Sequence, residues 1–253
     1  MSYPSDVLST RAIVKPGLYA IIPQAGLVNN VIPAIQNCRV SIVASPKMGA
    51  SFVQYIVEAE PGAVSLAPLA GETGIESFLY IIEGSMQCQA AGQEYALTAG
   101  GYLFTPADSG GVQFSCTGKT RFLFYKQRYI PLEGTAAYPY TGNVQQMPYL
   151  PYDGMDNVFI KDLLPKELGF DMNMHILSFL PGGCHGFVET HVQEHGAYIL
   201  SGEGMYIMEN TWMPIKKDDF MWFGPYVPQG AYGVGREPFA YIYSKDCNRD
   251  VML

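Results

Sequence analysis

The chain has 253 residues, a net charge of −8 and only 15% charged residues, while 48% are hydrophobic. It is long enough for one large or two small domains, each with its own core, and too apolar to be disordered. Its acidic balance repels phosphate backbones and excludes nucleic acid as a partner. No apolar run approaches the ~20 residues of a membrane span, so no membrane association is expected. Five cysteines, an odd number without a CxxC pair, argue against a disulfide framework and for a reducing compartment. Residues 1–18 lack the apolar stretch of a secretory signal. A cytoplasmic location is therefore expected.

Abundant Tyr and Phe, punctuated by 27 Gly and 18 Pro, favour strands and turns over long helices. In chain order, a Pro61-Gly62 turn precedes an apolar strand over residues 76–84 that ends in Gly84. A second strand follows over 101–106, and an aromatic strand over 121–125 closes the first half. Residues 131–155, rich in Pro, Gly and Tyr, read as a linker. Residues 156–168 fit either a short strand or a helical turn. The landmarks then recur in the same order: Pro181-Gly182, a strand over 194–202 ending in Gly202, a strand over 219–225 and an aromatic strand over 239–243. Gly84 and Gly202 are 118 residues apart, as are the two closing strands. Such a repeat predicts an internal duplication. The short, evenly spaced strands predict an all-β fold of two tandem antiparallel β-barrel (jelly-roll) domains, residues 1–135 and 136–253.

All four histidines, His175, His185, His191 and His195, lie within 21 residues of the second half. Glu189 and His191 are two apart and share a face if extended, and His195 follows after a gap that allows a turn into the next strand. Two adjacent strands would aim one carboxylate and two imidazoles at a common point, a donor set that suits Mn, Fe, Zn, Co or Ni. His175 has the opposite parity to Met172 and Met174 and reads as a buried, hydrogen-bonded histidine. The methionines read as core filler. His185, after Pro181-Gly182-Gly183, reads as a surface or lid residue. Cys184 and Cys247 read as small buried hydrophobes, and Lys216-Lys217 as a solvated turn.

The run Gly183-x₅-Glu189-x-His191-x₃-His195-x₆-Gly202 resembles the cupin motif, with Glu and His exchanged. Where the second cupin motif carries a histidine, this chain has Gln229, so an amide oxygen is the implied fourth ligand. The matching first-half positions hold Gly71, Thr73 and Ser77, which implies a first barrel without metal and with a structural role. Residues 11–17, 46–52, 164–179, 189–202 and 241–250 resemble the (S)-ureidoglycine aminohydrolase family, the bicupins of allantoin degradation. That resemblance implies Mn²⁺ held by Glu189, His191, His195 and Gln229, and a substrate bound by Glu189, Gln229, Tyr241 and Lys245. It implies hydrolysis of the Cα–amine bond of ureidoglycine, with Glu189, Tyr241 and Lys245 as catalytic residues. Lys245 is the cation for the substrate carboxylate, and Tyr241, four residues earlier on the same strand, shares its face. Whether the metal anchors substrate or lowers the pKa of a water stays open, as does the identity of the base. Asp218 stands where a turn glycine is usual, and Cys184 where a serine is. A homo-oligomer is expected. A metal-dependent oxygenase or isomerase, or a non-catalytic ligand-binding bicupin, are the competing readings.

Overall fold

The computed structural model describes residues 12–246 and 249–251; Cys247, and Arg11 at the start of one family-like stretch, lie outside the described residues. The chain is all-β, with only two three-residue 3₁₀ turns, Gln24–Gly26 and Val144–Gln146, among the described residues. No helix among them is long and apolar enough to cross a membrane.

Strand pairing repeats between the halves. In the first, the closing strand Thr120–Arg128 lies between Phe52–Ser65 and Ile75–Glu83, antiparallel to both. In the second, Phe239–Asp246 lies between Met172–Phe179 and His195–Ser201 in the same way. The hairpin Ser85–Ala90/Gln93–Thr98 recurs as Glu203–Met208/Thr211–Lys216. The glycines that end the equivalent strands need their lack of a side chain. Gly84 and Gly202 have φ of +84° and +68°, and a Cβ would collide with the carbonyl of Lys119 or Pro238 respectively. Gly202→Ala is expected to cost about 2 kcal/mol or more, measured by urea unfolding, because strain and steric overlap add at this turn.

The halves trade edges. Ile13–Lys15 and Tyr19–Ile22 extend the second-half sheet through Phe220–Phe223, and Tyr140–Asn143 extends the first-half sheet through Gly101–Thr105. Among the described residues the first half holds one sheet and the second half two, apart from these exchanged strands. The stretch 131–155 is correspondingly more than a linker, since it also holds the short strand Leu150–Pro151. The ambiguous stretch after it forms the strand Val158–Asp162, paired with Met172–Phe179.

Three apolar cores result. One fills the first barrel with Val57, Leu79, Ile81, Phe114, Phe122 and Phe124. Another lies between the halves and includes Phe52, Phe104, Met172, Met174, Ile176 and Trp222. The third lines the second barrel and includes Leu177, Phe179, Ala197, Tyr206, Tyr241 and Tyr243. Strand Met172–Phe179 is buried on both sides. Its even residues fill the inter-half core, and its odd ones, His175 among them, face the second barrel.

Candidate metal centre

His191, His195 and Gln229 converge inside the second barrel. The two Nε2 atoms are 3.2 Å apart, and the Gln229 amide nitrogen is 2.9 Å from Nε2 of His191. Each histidine is oriented from behind by a carbonyl oxygen: Nδ1 of His191 is 3.0 Å from that of Gln193, and Nδ1 of His195 is 2.7 Å from that of Ser244. A carbonyl only accepts, so each Nδ1 carries the hydrogen and each neutral ring presents a bare lone pair at Nε2. Burial lowers the pKa of both imidazoles, the charge of Lys245 pushes the same way in each, and His191 adds to it at His195. The Gln229 amide N–H reaches the His191 lone pair, while the His195 lone pair faces it at 3.2 Å with no hydrogen between the two rings, a repulsion that a cation between them would relieve. The donor chemistry here fits a divalent metal.

Glu189 reaches the same face by a different route. Its N–H and C=O exchange two 2.9 Å hydrogen bonds with Gln229, so the two side chains stand directly opposite one another on the same side. Among the described residues, however, no three His, Cys, Asp or Glu side chains are grouped closely enough to hold an ion. The structure thus gathers His191, His195 and the Gln229 amide and leaves the Glu189 carboxylate outside that group. Burial raises the pKa of Glu189, opposed by the charge of Lys245. Glu194, beside His195, faces the other way, where its carboxylate accepts from Ser51 N–H at 2.9 Å and from the Trp222 indole at 2.9 Å.

Tyr241 and Lys245 both face this barrel. Lys245 lies close enough to influence Glu189, His191, His195 and His175 electrostatically. Tyr241 is fully enclosed and hydrogen-bonded to Tyr206, whose hydroxyl in turn donates to Gln229 Oε1 at 2.9 Å. Reading the sequence missed Tyr206 and Tyr243. Tyr243 lies between Tyr241 and Lys245 in the same alternation, and its ring packs edge-on against His195 at 4.9 Å and stacks on His175 at 5.3 Å. That alternation was a usable signal. Tyr206 had none, because it reaches Gln229 across the pairing of strand Glu203–Met208 with Gln229–Val234, which lies between segments distant in the chain.

Two expectations need correction. His185 is buried, not a surface or lid residue: its backbone N–H donates to Ala231 O, and its Nδ1 accepts from Ala231 N–H at 3.0 Å. This reciprocal pairing draws the loop after Gly183 onto strand Gln229–Val234, where the ring packs against Phe179. Cys184 is half-exposed, because the same pairing leaves it at the barrel rim opposite Tyr232.

Burial lowers the pKa of His185 from 6.5 to about 4. The folded protein therefore excludes a proton that the unfolded chain binds. Stability from this group is complete above about pH 6.5 and is lost as pH falls towards 4, a span worth about 3 kcal/mol. Melting curves of wild type and His185→Asn, whose Oδ1 can replace Nδ1 as acceptor, should converge across that window. Parallel curves would rule the effect out.

The chain matches a family model described as EutQ-like cupin domain over residues 47–129, within the first half. It is 51% identical over 253 residues to the (S)-ureidoglycine aminohydrolase of Escherichia coli (strain K12), spanning 99% of this chain and 97% of that protein. It is 26% identical to the (S)-ureidoglycine aminohydrolase of Arabidopsis thaliana, over 95% of this chain and 79% of that one. The crystal structure of protein Ylba from E. coli superimposes with a TM-score of 0.89 at 47% identity, covering all of both chains.

Proposed function

The chain belongs to the (S)-ureidoglycine aminohydrolase family, and from that premise we propose that it hydrolyses the Cα–amine bond of (S)-ureidoglycine, releasing ammonia and leaving (S)-ureidoglycolate in cytoplasmic allantoin breakdown. The observation that carries this reading is the pair of carbonyl-locked histidines whose Nε2 atoms meet at 3.2 Å beside the Gln229 amide. His191, His195 and Gln229 would hold the metal, with Glu189 as the carboxylate opposite Gln229. A set that mixes imidazole with carboxylate and amide oxygen suits Mn²⁺. Such an ion, when bound, supplies the positive charge that anchors a small anionic substrate and offsets charge developing at the reacting carbon.

The protein's own residues do the rest. Lys245 pairs with the substrate carboxylate. The Tyr241–Tyr206 pair holds one end of the Gln229 amide; that end is Oε1 and the nitrogen faces His191, so Gln229 becomes an oxygen ligand by turning its amide over, with the Tyr206 hydroxyl then accepting from the nitrogen. The packed tyrosine wall excludes bulk water and strengthens each polar contact inside. We further infer a homo-oligomer.

The test is ammonia release from ureidoglycine generated in situ from allantoate, comparing metal-stripped protein with protein reloaded with Mn²⁺ and following product chirality. Fast, Mn²⁺-dependent release yielding only (S)-ureidoglycolate is expected. Release no faster than spontaneous decay, with metal bound, would reject the reading.

A further inference from the structure

His175 is 7% exposed, yet its Nε2 has no hydrogen-bond partner among the described residues. Its other nitrogen, Nδ1, is 2.6 Å from Asp162 Oδ1. The Asp162 carboxylate is also paired with Lys166 at 2.7 Å. These two partners hold the Asp162 pKa down to about 2, His175 foremost. An ionised carboxylate only accepts, so Nδ1 carries the hydrogen and Nε2 presents the lone pair. This is the arrangement of an oriented base: a carboxylate fixes the tautomer, and the opposite ring nitrogen keeps a lone pair that no protein group among the described residues uses.

The placement matches. Asp162 faces His175, and His175 faces Tyr243, across adjacent strands. Lys245, two residues beyond Tyr243 on the same face, is then a diagonal neighbour of His175, about 7–8 Å away between backbone positions. The Lys245 charge also acts on His175, so the two groups bear on the same part of the barrel.

We propose that His175, oriented by Asp162, is the proton acceptor for the water that replaces the amine on Cα. The inference rests on the aminohydrolase reading above. In the step, the C–N bond of the substrate ammonium breaks and the nitrogen leaves with the bonding pair as NH₃. The water oxygen forms the new bond to Cα, and its proton passes to Nε2. The resulting imidazolium, stabilised by Asp162, then gives that proton to ammonia, which departs as ammonium. His175 ends as it began. Burial lowers the His175 pKa, which keeps the ring neutral and receptive near pH 7. The titratable or charged groups facing it are Asp162 and Lys166 on one side, Tyr243 and Lys245 on the next strand, and His195 beyond them.

The test uses Mn²⁺-loaded full-length protein: wild type, His175→Gln, Asp162→Asn, and His175→Ala with and without added imidazole. His175→Gln should lower kcat about 10²- to 10⁴-fold with metal content and KM little changed. The acid limb of the kcat–pH profile should vanish with it, and imidazole should restore part of the activity of His175→Ala. Asp162→Asn, which keeps the ring in place, should also lower kcat, because an amide can steady the wrong tautomer. An active wild type with His175→Gln within about threefold of it, and the acid limb retained, overturns this inference alone. A metal-loaded wild type inert towards ureidoglycine overturns the aminohydrolase reading and this inference with it.

Discussion

Alanine at His195 is expected to abolish stoichiometric metal binding and to cut ureidoglycine turnover by more than about a hundredfold. The bound is set by weaker lesions, since loss of a group that merely orients a ligand costs about 10–100-fold in affinity or activity. His195 contributes more than orientation. Its Nε2 is one of the two facing lone pairs, and its position is set by the 2.7 Å bond to Ser244 O and by the rings of Phe223 and Tyr243. Tyr206→Phe offers the graded comparison. It removes the hydroxyl that donates to Gln229 Oε1 and leaves the ring packing intact, so a loss of about 10–100-fold in metal affinity is expected. Metal content after dialysis, with steady-state kinetics on the same samples, checks both. A His195→Ala protein that keeps one metal per chain and near-native turnover would remove the metal centre from where it is placed here.

Asp218→Ala is expected to destabilise the protein by about 3–5 kcal/mol, the cost of leaving a buried charge without its partner. Asp218 occupies a turn with φ of +76°, where the family resemblance leads one to expect glycine. Asparagine and aspartate tolerate this left-handed region better than most residues. In return, its carboxylate accepts from the Tyr198 hydroxyl at 2.6 Å and pairs with Arg121 at 3.0 Å. Arg121 belongs to the closing strand of the first half, so the pair bolts one half to the other. Both side chains are mostly buried; Arg121 makes this contact through Nη1, while its Nε and Nη2 have no hydrogen-bond partner among the described residues. At about 2–4 °C per kcal/mol for a chain of this size, the melting temperature should fall by roughly 10 °C. Arg121→Met combined with Asp218→Ala should recover much of the loss, because it removes the stranded charge. A fall of less than about 2 °C in the single variant would show that solvent reaches and compensates Arg121.

Local pattern was enough to reveal the repeat. Strand-then-glycine segments at matching places in the two halves marked equivalent turns, and in the structure Gly84 and Gly202 share positive φ and the same crowding. The run from Glu189 to His195 marked the candidate metal-binding region, because side-chain direction along an extended chain follows from residue parity alone. The same parity set His175 apart from Met172 and Met174, and the structure puts them on opposite faces of one strand. What parity cannot tell is which strand lies alongside, since pairing partners are distant in sequence and are selected by packing of the whole sheet. Only the tertiary structure therefore could bring Asp162 against His175, Tyr206 against Gln229 and Asp218 against Arg121. For the same reason it alone could assign Tyr19–Ile22 to the second half's sheet and bury His185 beneath a loop that reads as surface. The amino-acid sequence determined the strands, their faces and the candidate ligands; the register of strands far apart in the chain decided which of those faces meet, and so which side chains act together.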